Sequence, residues 1–285
     1  MRAQSAPKRP DWAQLLVQAV SVPGTLSGAY RQFWNYSVGN QLLAWIQCLT
    51  RQLQPGPINT FIGWQKLGRS VKKGETAIAL CMPVSVKRKA RDAVPEAAAQ
   101  IGADADGEST DKASPAQRKT VFVYRPRWFV LCQTDGAAYV PTELPAWSES
   151  RALDRLSIER VDFTHTNGNC LGFARERQVA ISPLAEYPHK TLFHEIAHVV
   201  LGHTAEGQLE DHDLTPRDLR EVEAESVALI CCESLNLAGT SDSRGYIQHW
   251  LANERPPDKA IQKVFSATDS ILRAGRLALN SSPDE

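Results

Sequence analysis

Apolar residues recur along this chain in two patterns, which predict helices and strands in separate segments. Within residues 11–50 they repeat at three- and four-residue intervals, which predicts a helix beginning after Asp11 and another at about residues 36–49. Short apolar runs predict strands at residues 76–83, 120–124, 128–133, 162–170 and 178–182. Longer periodic runs predict helices at residues 190–201, 220–237, 243–253 and 257–278. The expected fold class is α+β.

Shifts in composition divide these elements into two predicted domains. Residues 87–119 are rich in Ala, Asp, Lys and Ser and almost lack large apolar side chains, which predicts a mobile insertion. Strands resume after this insertion, so it belongs inside the first domain. Residues 141–149 contain two prolines and a polar stretch and are expected to be a linker. The predicted domains are residues 1–140, of mixed α/β structure, and residues 150–285.

The net charge of zero conceals a strong asymmetry between the two parts. Residues 1–91 hold thirteen Lys and Arg against two acids, whereas residues 92–285 hold nineteen against thirty. Basic residues are dense between residues 66 and 91, and aromatic residues lie nearby in the sequence. Basic charge combined with aromatic faces is typical of proteins that bind single-stranded nucleic acid. The N-terminal part is therefore expected to bind nucleic acid, mainly through its backbone.

Neither a membrane nor an oxidising compartment is predicted. The chain has no run of eighteen apolar residues, and its first residues lack the apolar core of a signal peptide. None of its six cysteines forms a Cys-x-x-Cys pair, and most lie in apolar runs. Reduced, buried thiols in a cytoplasmic protein are expected.

The residues with the clearest chemistry are His194, Glu195 and His198. They lie in a run without Gly or Pro, flanked by apolar residues, which predicts a largely buried helix. Residues four apart share a helix face, so both imidazoles point the same way, as two ligands of one Zn²⁺ must. Glu195 lies next to them and is expected to act as the general base. Buried imidazoles need partners, and a metal ion supplies one.

The third ligand is sought on the next helix, which carries Glu221, Glu223 and Glu225. His203 follows His198 by five residues, which does not fit the metzincin spacing. The His-Glu-x-x-His motif followed by two glutamates four apart resembles the gluzincin pattern. That resemblance implies that Glu221 is the ligand and that Glu225 orients a ligand histidine. Glu223 and Glu225 remain rival ligands, because helix facing is the only guide.

Several segments together resemble the ArdC-like antirestriction family. Asn35–Leu43, Gly63–Glu75 and Val130–Gly136 resemble its single-stranded-DNA-binding domain. His194–His198, Glu221–Leu235 and Tyr246–Trp250 resemble the zincin-like metallopeptidase domain that accompanies it. The likeness covers nearly the whole chain except residues 87–119 and the two tails.

The resemblance implies an antirestriction protein of a plasmid or other mobile element, acting during conjugation, with single-stranded DNA and a possible protein substrate as partners. It implies that His203 supports or packs beside the metal site without ligating. The expected DNA contacts are Asn40, Trp64, Arg69, Lys72, Lys73, Lys87, Arg88 and Gln133.

Two hypotheses remain open at this point. The protein is either a zinc metallopeptidase joined to a DNA-binding domain, or a DNA-protecting protein whose metal site is structural or dispensable. Glu195 favours the first, because a structural zinc needs no general base. A nuclease is disfavoured, because nucleases favour two-metal sites rich in carboxylates.

Overall fold

The computed structural model describes residues 10–87, 118–164, 170–204, 217–253 and 256–277. The helices within these ranges are α1 (Trp12–Ser21), α2 (Thr25–Phe33), α3 (Val38–Thr50), α4 (Phe61–Lys66), α5 (Glu149–Leu156), α6 (Pro188–Val200), α7 (Arg217–Ser234), α8 (Ser241–Asn253) and α9 (Asp258–Gly275). The strands are β1 (Ile58–Thr60), β2 (Arg69–Val71), β3 (Ile78–Lys87), β4 (Arg118–Val130), β5 (Thr134–Gly136), β6 (Glu159–Arg160), β7 (Gly172–Arg175) and β8 (Gln178–Ile181). This is the expected mixture of helices and small sheets.

A long β-ribbon dominates the N-terminal part. β3 and β4 pair antiparallel from Ile78 opposite Trp128 to Lys87 opposite Arg118, and β1 pairs with the other edge of β4. β2 and β5 form a separate two-stranded sheet. Residues 88–117, most of the predicted insertion, connect β3 to β4 and lie outside the described residues.

Side-chain caps and turn residues explain where several of these elements begin. Asp11 accepts a hydrogen bond from the Gln14 amide at 3.0 Å and starts α1, as its position predicted. Thr60 caps α4 in the same way through the amide of Gly63. Pro188 opens α6, where its missing amide hydrogen costs nothing.

The second sheet lies beside α6 and has the order β6-β8-β7. β6 runs parallel to β8, and β7 runs antiparallel to it, so β7 is an edge strand. The strand predicted at residues 162–170 is wrong in its described part: residues 162–164 have no regular structure, and residues 165–169 lie outside the description. Polar and small residues fill that stretch, and the apolar pairing begins only after it.

Helices of the N-terminal and C-terminal parts share one hydrophobic core. Side chains of α1, α2 and α3 belong to the same buried cluster as those of α7 and α9. Hydrogen bonds also join the two parts: Asp269 on α9 accepts from the amide of Val38 at 2.9 Å, and Gln248 on α8 donates to the carbonyl of Val20 at 3.1 Å. The predicted boundary at residues 141–149 therefore separates two stretches of sequence that pack against each other.

Two expectations about the environment of the chain meet the structure here. All six cysteines are free, as their spacing predicted, and Cys48, Cys231 and Cys232 are buried. Among the described helices, none combines the length and apolarity that crossing a bilayer requires.

Candidate metal centre

Helix α6 presents His194 and His198 on one face while it buries the other. Leu192, Phe193 and Ile196 on this helix are at most 2% exposed and fix it in the core. Because the core determines the rotation of the helix, the direction of both imidazoles is fixed as well. The predicted helix at residues 190–201 corresponds to α6.

Helix α7 packs against α6 and brings in the acidic side chains. Ala224 and Ala228 on α7 are completely buried, and their small size permits close packing between the two helices. Glu221, Glu223 and Glu225 follow one another along the same turns of α7. The distances from each carboxylate to the imidazoles identify which glutamate lies nearest them.

Three ligand atoms converge between α6 and α7. Nε2 of His194 lies 3.1 Å from Nε2 of His198, and Oε2 of Glu221 lies 3.4 Å from the first nitrogen and 3.7 Å from the second. Among the described residues, these three form a group suited to holding a metal ion. Ligands at about 2.0–2.1 Å from a tetrahedral metal lie about 3.3 Å apart, so the spacing fits one cation.

The outward nitrogen of His194 has a carboxylate partner. Nδ1 of His194 lies 3.0 Å from Oε2 of Glu225, whose other oxygen lies 2.9 Å from Nζ of Lys190. A carboxylate only accepts, so Nδ1 donates to it and Nε2 is left to bind a cation. Glu225 thus occupies the orienting position that the resemblance implied.

The outward nitrogen of His198 is held by a relay of two buried side chains. Nδ1 of His198 lies 3.1 Å from Nδ1 of His203, and Nε2 of His203 lies 3.1 Å from Oε2 of Glu223. Glu223 only accepts, so His203 donates through Nε2 and accepts through Nδ1. His198 must then donate through Nδ1, which again leaves its Nε2 free for a cation.

These contacts separate the three candidate glutamates. Glu221 faces both Nε2 atoms, Glu225 faces the back of His194, and Glu223 faces His203. The geometry favours Glu221 over both rivals as the third ligand, because of the three carboxylates only that of Glu221 is seen within 4 Å of both Nε2 atoms. Sequence reasoning considered Glu223 only as a rival metal ligand, since nothing in the order of residues showed that its partner was His203.

The centre of this cluster requires positive charge. Burial lowers the pKa of His194, but hydrogen bonds to Glu221 and Glu225 outweigh it and raise that pKa to about 9. Burial and the charge on His194 lower the pKa of His198 to about 4. A proton on His194 thus balances the carboxylates where no cation does, and a bound cation would replace that proton.

Glu195 is buried beside the ligands and adjoins the edge strand β7. It is 8% exposed, and burial raises its pKa to about 7. A Cβ atom at Gly172, the first residue of β7, would lie 2.7 Å from Cγ2 of Thr191 and 2.9 Å from Oε1 of Glu195. Glycine at this position therefore gives the carboxylate its space, a role that sequence reasoning missed although a glycine in a strand indicates close approach.

Two of the expected DNA contacts are core side chains, which corrects the prediction. Trp64 is 1% exposed and donates from Nε1 to the carbonyl of Phe129 at 2.8 Å. Gln133 is also 1% exposed; its amide donates to Glu75 and Thr76 and accepts from the Val130 amide. Neither side chain offers a surface to DNA, because both satisfy buried backbone groups.

Asn40 and Arg69 also make structural contacts. Asn40 donates to the carbonyl of Cys81 and accepts from its amide, both at 2.9 Å, and so clamps α3 to β3. Arg69 donates to the hydroxyl and carbonyl oxygens of Thr134 and holds β2 against β5. These hydrogen bonds give both residues a structural role that requires no nucleic acid.

The basic turn after β2 remains accessible. Lys72 and Lys73 are exposed, although Lys72 also donates to the carbonyl of Cys132 at 3.0 Å and lies 3.6 Å from Asp135. Lys87 ends β3, but its side chain and the whole of Arg88 lie outside the described residues. Lys72 and Lys73 stay predicted DNA contacts.

Comparisons with known proteins agree with the motifs. Residues 10–122 match the model for the N-terminal domain of anti-restriction factor ArdC. The metal-free crystal structure of the antirestriction ArdC protein from the R388 plasmid has a TM-score of 0.51 and 17% identity, covering 93% of this chain and 95% of that one. The Mn(II)-bound structure has the same TM-score, 14% identity and coverages of 93% and 98%. At such identities the likeness concerns the fold.

One curated relative has a sequence similar to much of the chain. The uncharacterized protein y4eC of Sinorhizobium fredii (strain NBRC 101917 / NGR234) is 26% identical over 247 residues, which cover 81% of this chain and 75% of that protein. The similarity extends beyond the N-terminal domain, but the name of this relative states no activity.

Proposed function

We propose that this chain, which is ArdC-like through its N-terminal domain, is a metal-dependent peptide hydrolase that also binds single-stranded DNA. Its biological role would be to protect the DNA of a mobile element from restriction in the cytoplasm. The family match supports the antirestriction role, and the structures named above are of an antirestriction protein from a plasmid.

The observation that carries the hydrolase proposal is the convergence of Nε2 of His194, Nε2 of His198 and Oε2 of Glu221. Partners behind the imidazoles direct both Nε2 lone pairs toward one point. This donor set would hold a divalent cation, which when bound supplies a Lewis acid and lowers the pKa of water. Two imidazoles and one carboxylate favour zinc. The ArdC of R388 has been crystallised with Mn(II), so manganese is the alternative.

Glu195 would perform the proton transfers. Its carboxylate is buried next to the ligands, and its ordinary role in such a motif is to take a proton from the attacking water and pass it to the leaving amine. A structural metal site would have no use for this buried acid. The rival hypothesis, in which the metal is dispensable and coating of the strand suffices, leaves Glu195 without a function.

An extended peptide is the substrate class that fits the surroundings of Glu195. β7 is the free edge of its sheet within the described residues, and its first residue adjoins the Glu195 carboxylate. A peptide pairing with this edge would pass the general base. A peptide bond is therefore a better candidate for hydrolysis than a phosphodiester.

Glu195→Gln tests the hydrolase proposal, because the change removes the base and retains the ligands. Wild type loaded with zinc or manganese and the variant are incubated with a peptide library, and new termini are identified by mass spectrometry. We expect metal-dependent cleavage by wild type only, with equal metal content in both proteins. The same pair, tested for protection of transferred DNA in a restricting recipient, separates the two hypotheses: equal protection would favour coating alone.

A further inference from the structure

A cleft of about 730 Å³ opens between the β3–β4 ribbon and helix α9, away from the metal cluster. Trp12, Gly39 and Asn40 line it from α1 and α3. Such a volume is within the range of binding sites for small ligands or segments of larger ones. The match to the ArdC N-terminal domain ends at residue 122, so α9 contributes a wall that this domain alone does not supply.

The wall formed by the ribbon displays aromatic side chains. Phe122 is 71% exposed, and Tyr124 follows it two residues later, on the same face of β4. In the strand register, Phe122 lies opposite Pro83 and Tyr124 opposite Cys81. Because most of the Phe122 side chain is in water, it contributes little to the stability of the core. The face of its ring is available for stacking with another planar group.

The opposite wall is a cationic face of α9. Lys259 and Lys263 are both exposed, line the cleft and lie one helical turn apart. Ile261 and Val264 on the same helix are at most 2% exposed, so the core fixes the direction of the lysines. The exposed amide of Gln262 lies between them.

Two carboxylates, those of Asp258 and Asp269, also line the cleft. Asp258 is exposed at the start of α9. Asp269 accepts a hydrogen bond from the Val38 amide at 2.9 Å, and burial raises its pKa to about 6. The Asp269 carboxylate therefore faces the first residue of α3. Along α9, Asp269 lies about three helical turns from Lys259.

We propose that single-stranded DNA crosses this cleft, with bases stacked on Phe122 and phosphates bound by Lys259 and Lys263. The inference rests on the proposed DNA-binding function and gives it a location. Aromatic faces opposite fixed cations are the combination that unstacked nucleotides require, and paired bases in a duplex cannot reach such faces. The site joins the ArdC-like domain to α9, so both parts of the chain complete it.

The test measures the affinity of the full chain for labelled oligo(dT) over a series of salt concentrations. Phe122→Ala removes the stacking face, and Phe122→Trp retains it; Phe61→Ala, at another exposed phenylalanine on α4, is the matched control. Lys259→Gln combined with Lys263→Gln removes the cationic wall. Arg155→Gln combined with Arg175→Gln removes the same charge from exposed sites outside the cleft.

We expect Phe122→Ala to bind at least about 5-fold more weakly and Phe122→Trp to bind like wild type, because stacking on one aromatic face is worth about 1–3 kcal/mol. The lysine pair should lower the slope of log affinity against log salt by about 1.4, since each phosphate contact contributes about 0.7. Both controls should stay near wild type.

Two different failures are distinguishable. If wild type binds oligo(dT) and the cleft variants bind as their controls do, the proposed location is refuted while DNA binding stands. If wild type shows no preference for oligo(dT) over duplex DNA, the proposed single-strand function itself fails, and with it this site.

Discussion

Replacing His203 and Glu223 tests how the metal centre is organised. Their side chains are 6% and 3% exposed, and together they hold Nδ1 of His198. In His203→Leu, the N–H of His198 loses its acceptor and the Glu223 carboxylate loses its donor. A buried group left unsatisfied costs about 1–3 kcal/mol, and more if it is charged, so we expect a loss of at least about 3 kcal/mol in the free energy of unfolding.

The double variant His203→Leu with Glu223→Leu separates stability from metal binding. It removes the buried carboxylate together with its donor, which should restore most of the lost stability. It still leaves the ring of His198 without its orienting partner. Losing such a partner weakens metal affinity about 10- to 100-fold. We therefore expect a stable protein that binds zinc that much more weakly.

Denaturant unfolding of the metal-free protein and competition with a chelating dye measure the two quantities. Thr268→Val is the control, because it removes a buried hydrogen bond to the carbonyl of Val264 on α9 and touches no metal ligand. It should lose stability while binding zinc normally. If the double variant keeps the wild-type zinc affinity, the relay does not orient His198 and the reasoning is wrong.

Three further changes have defined outcomes. In Gly172→Ala, the new methyl group would lie 2.7 Å from Cγ2 of Thr191 and 2.9 Å from Oε1 of Glu195, so the Glu195 carboxylate must shift. Hydrolysis of any peptide that wild type cleaves should then fall at least about 10-fold while metal affinity is unchanged. Gly245→Ala, which meets no atom within 4 Å, is the control, and equal losses in both would contradict the account. Asp269 has a pKa raised by burial to about 6, so the stability it contributes is present at low pH and is lost as pH rises through that value. Relative to wild type, Asp269→Asn should therefore gain about 3 kcal/mol of stability as the pH rises from about 3 to about 7, with no further gain above that, and a difference independent of pH would refute this. Zinc should displace manganese in a competition titration, because a site with two imidazoles follows the usual order of divalent affinities, and tighter manganese binding would argue for a different ligand set.

The clustering of the candidate metal ligands was largely predictable because its information is local. The spacing of His194 and His198 fixes their common face on any helix, and the spacing from Glu221 to Glu225 favoured the arrangement that the structure displays. The role of Glu223 was not predictable, because His203 follows the end of α6 and reaches Glu223 only in the folded chain. Gly172 was missed for the same reason.

The DNA contacts were less predictable, because residue type does not reveal burial. Trp64 and Gln133 have side chains suited to nucleic acid, yet each satisfies backbone groups inside the protein. The cleft residues Phe122 and Lys259 are 137 positions apart in the sequence and meet only through the packing of α9 on the N-terminal helices. A charge count therefore favours a nucleic-acid partner but does not predict which residues would form its site.

Anomalous diffraction from crystals soaked with zinc tests the central claim most directly. The account predicts one strong peak between α6 and α7, about 2.0–2.2 Å from Nε2 of His194, Nε2 of His198 and a carboxylate oxygen of Glu221. Glu195 should lie beside this peak without ligating it. A peak held by Glu223 or Glu225, or no peak at these imidazoles, would contradict the account.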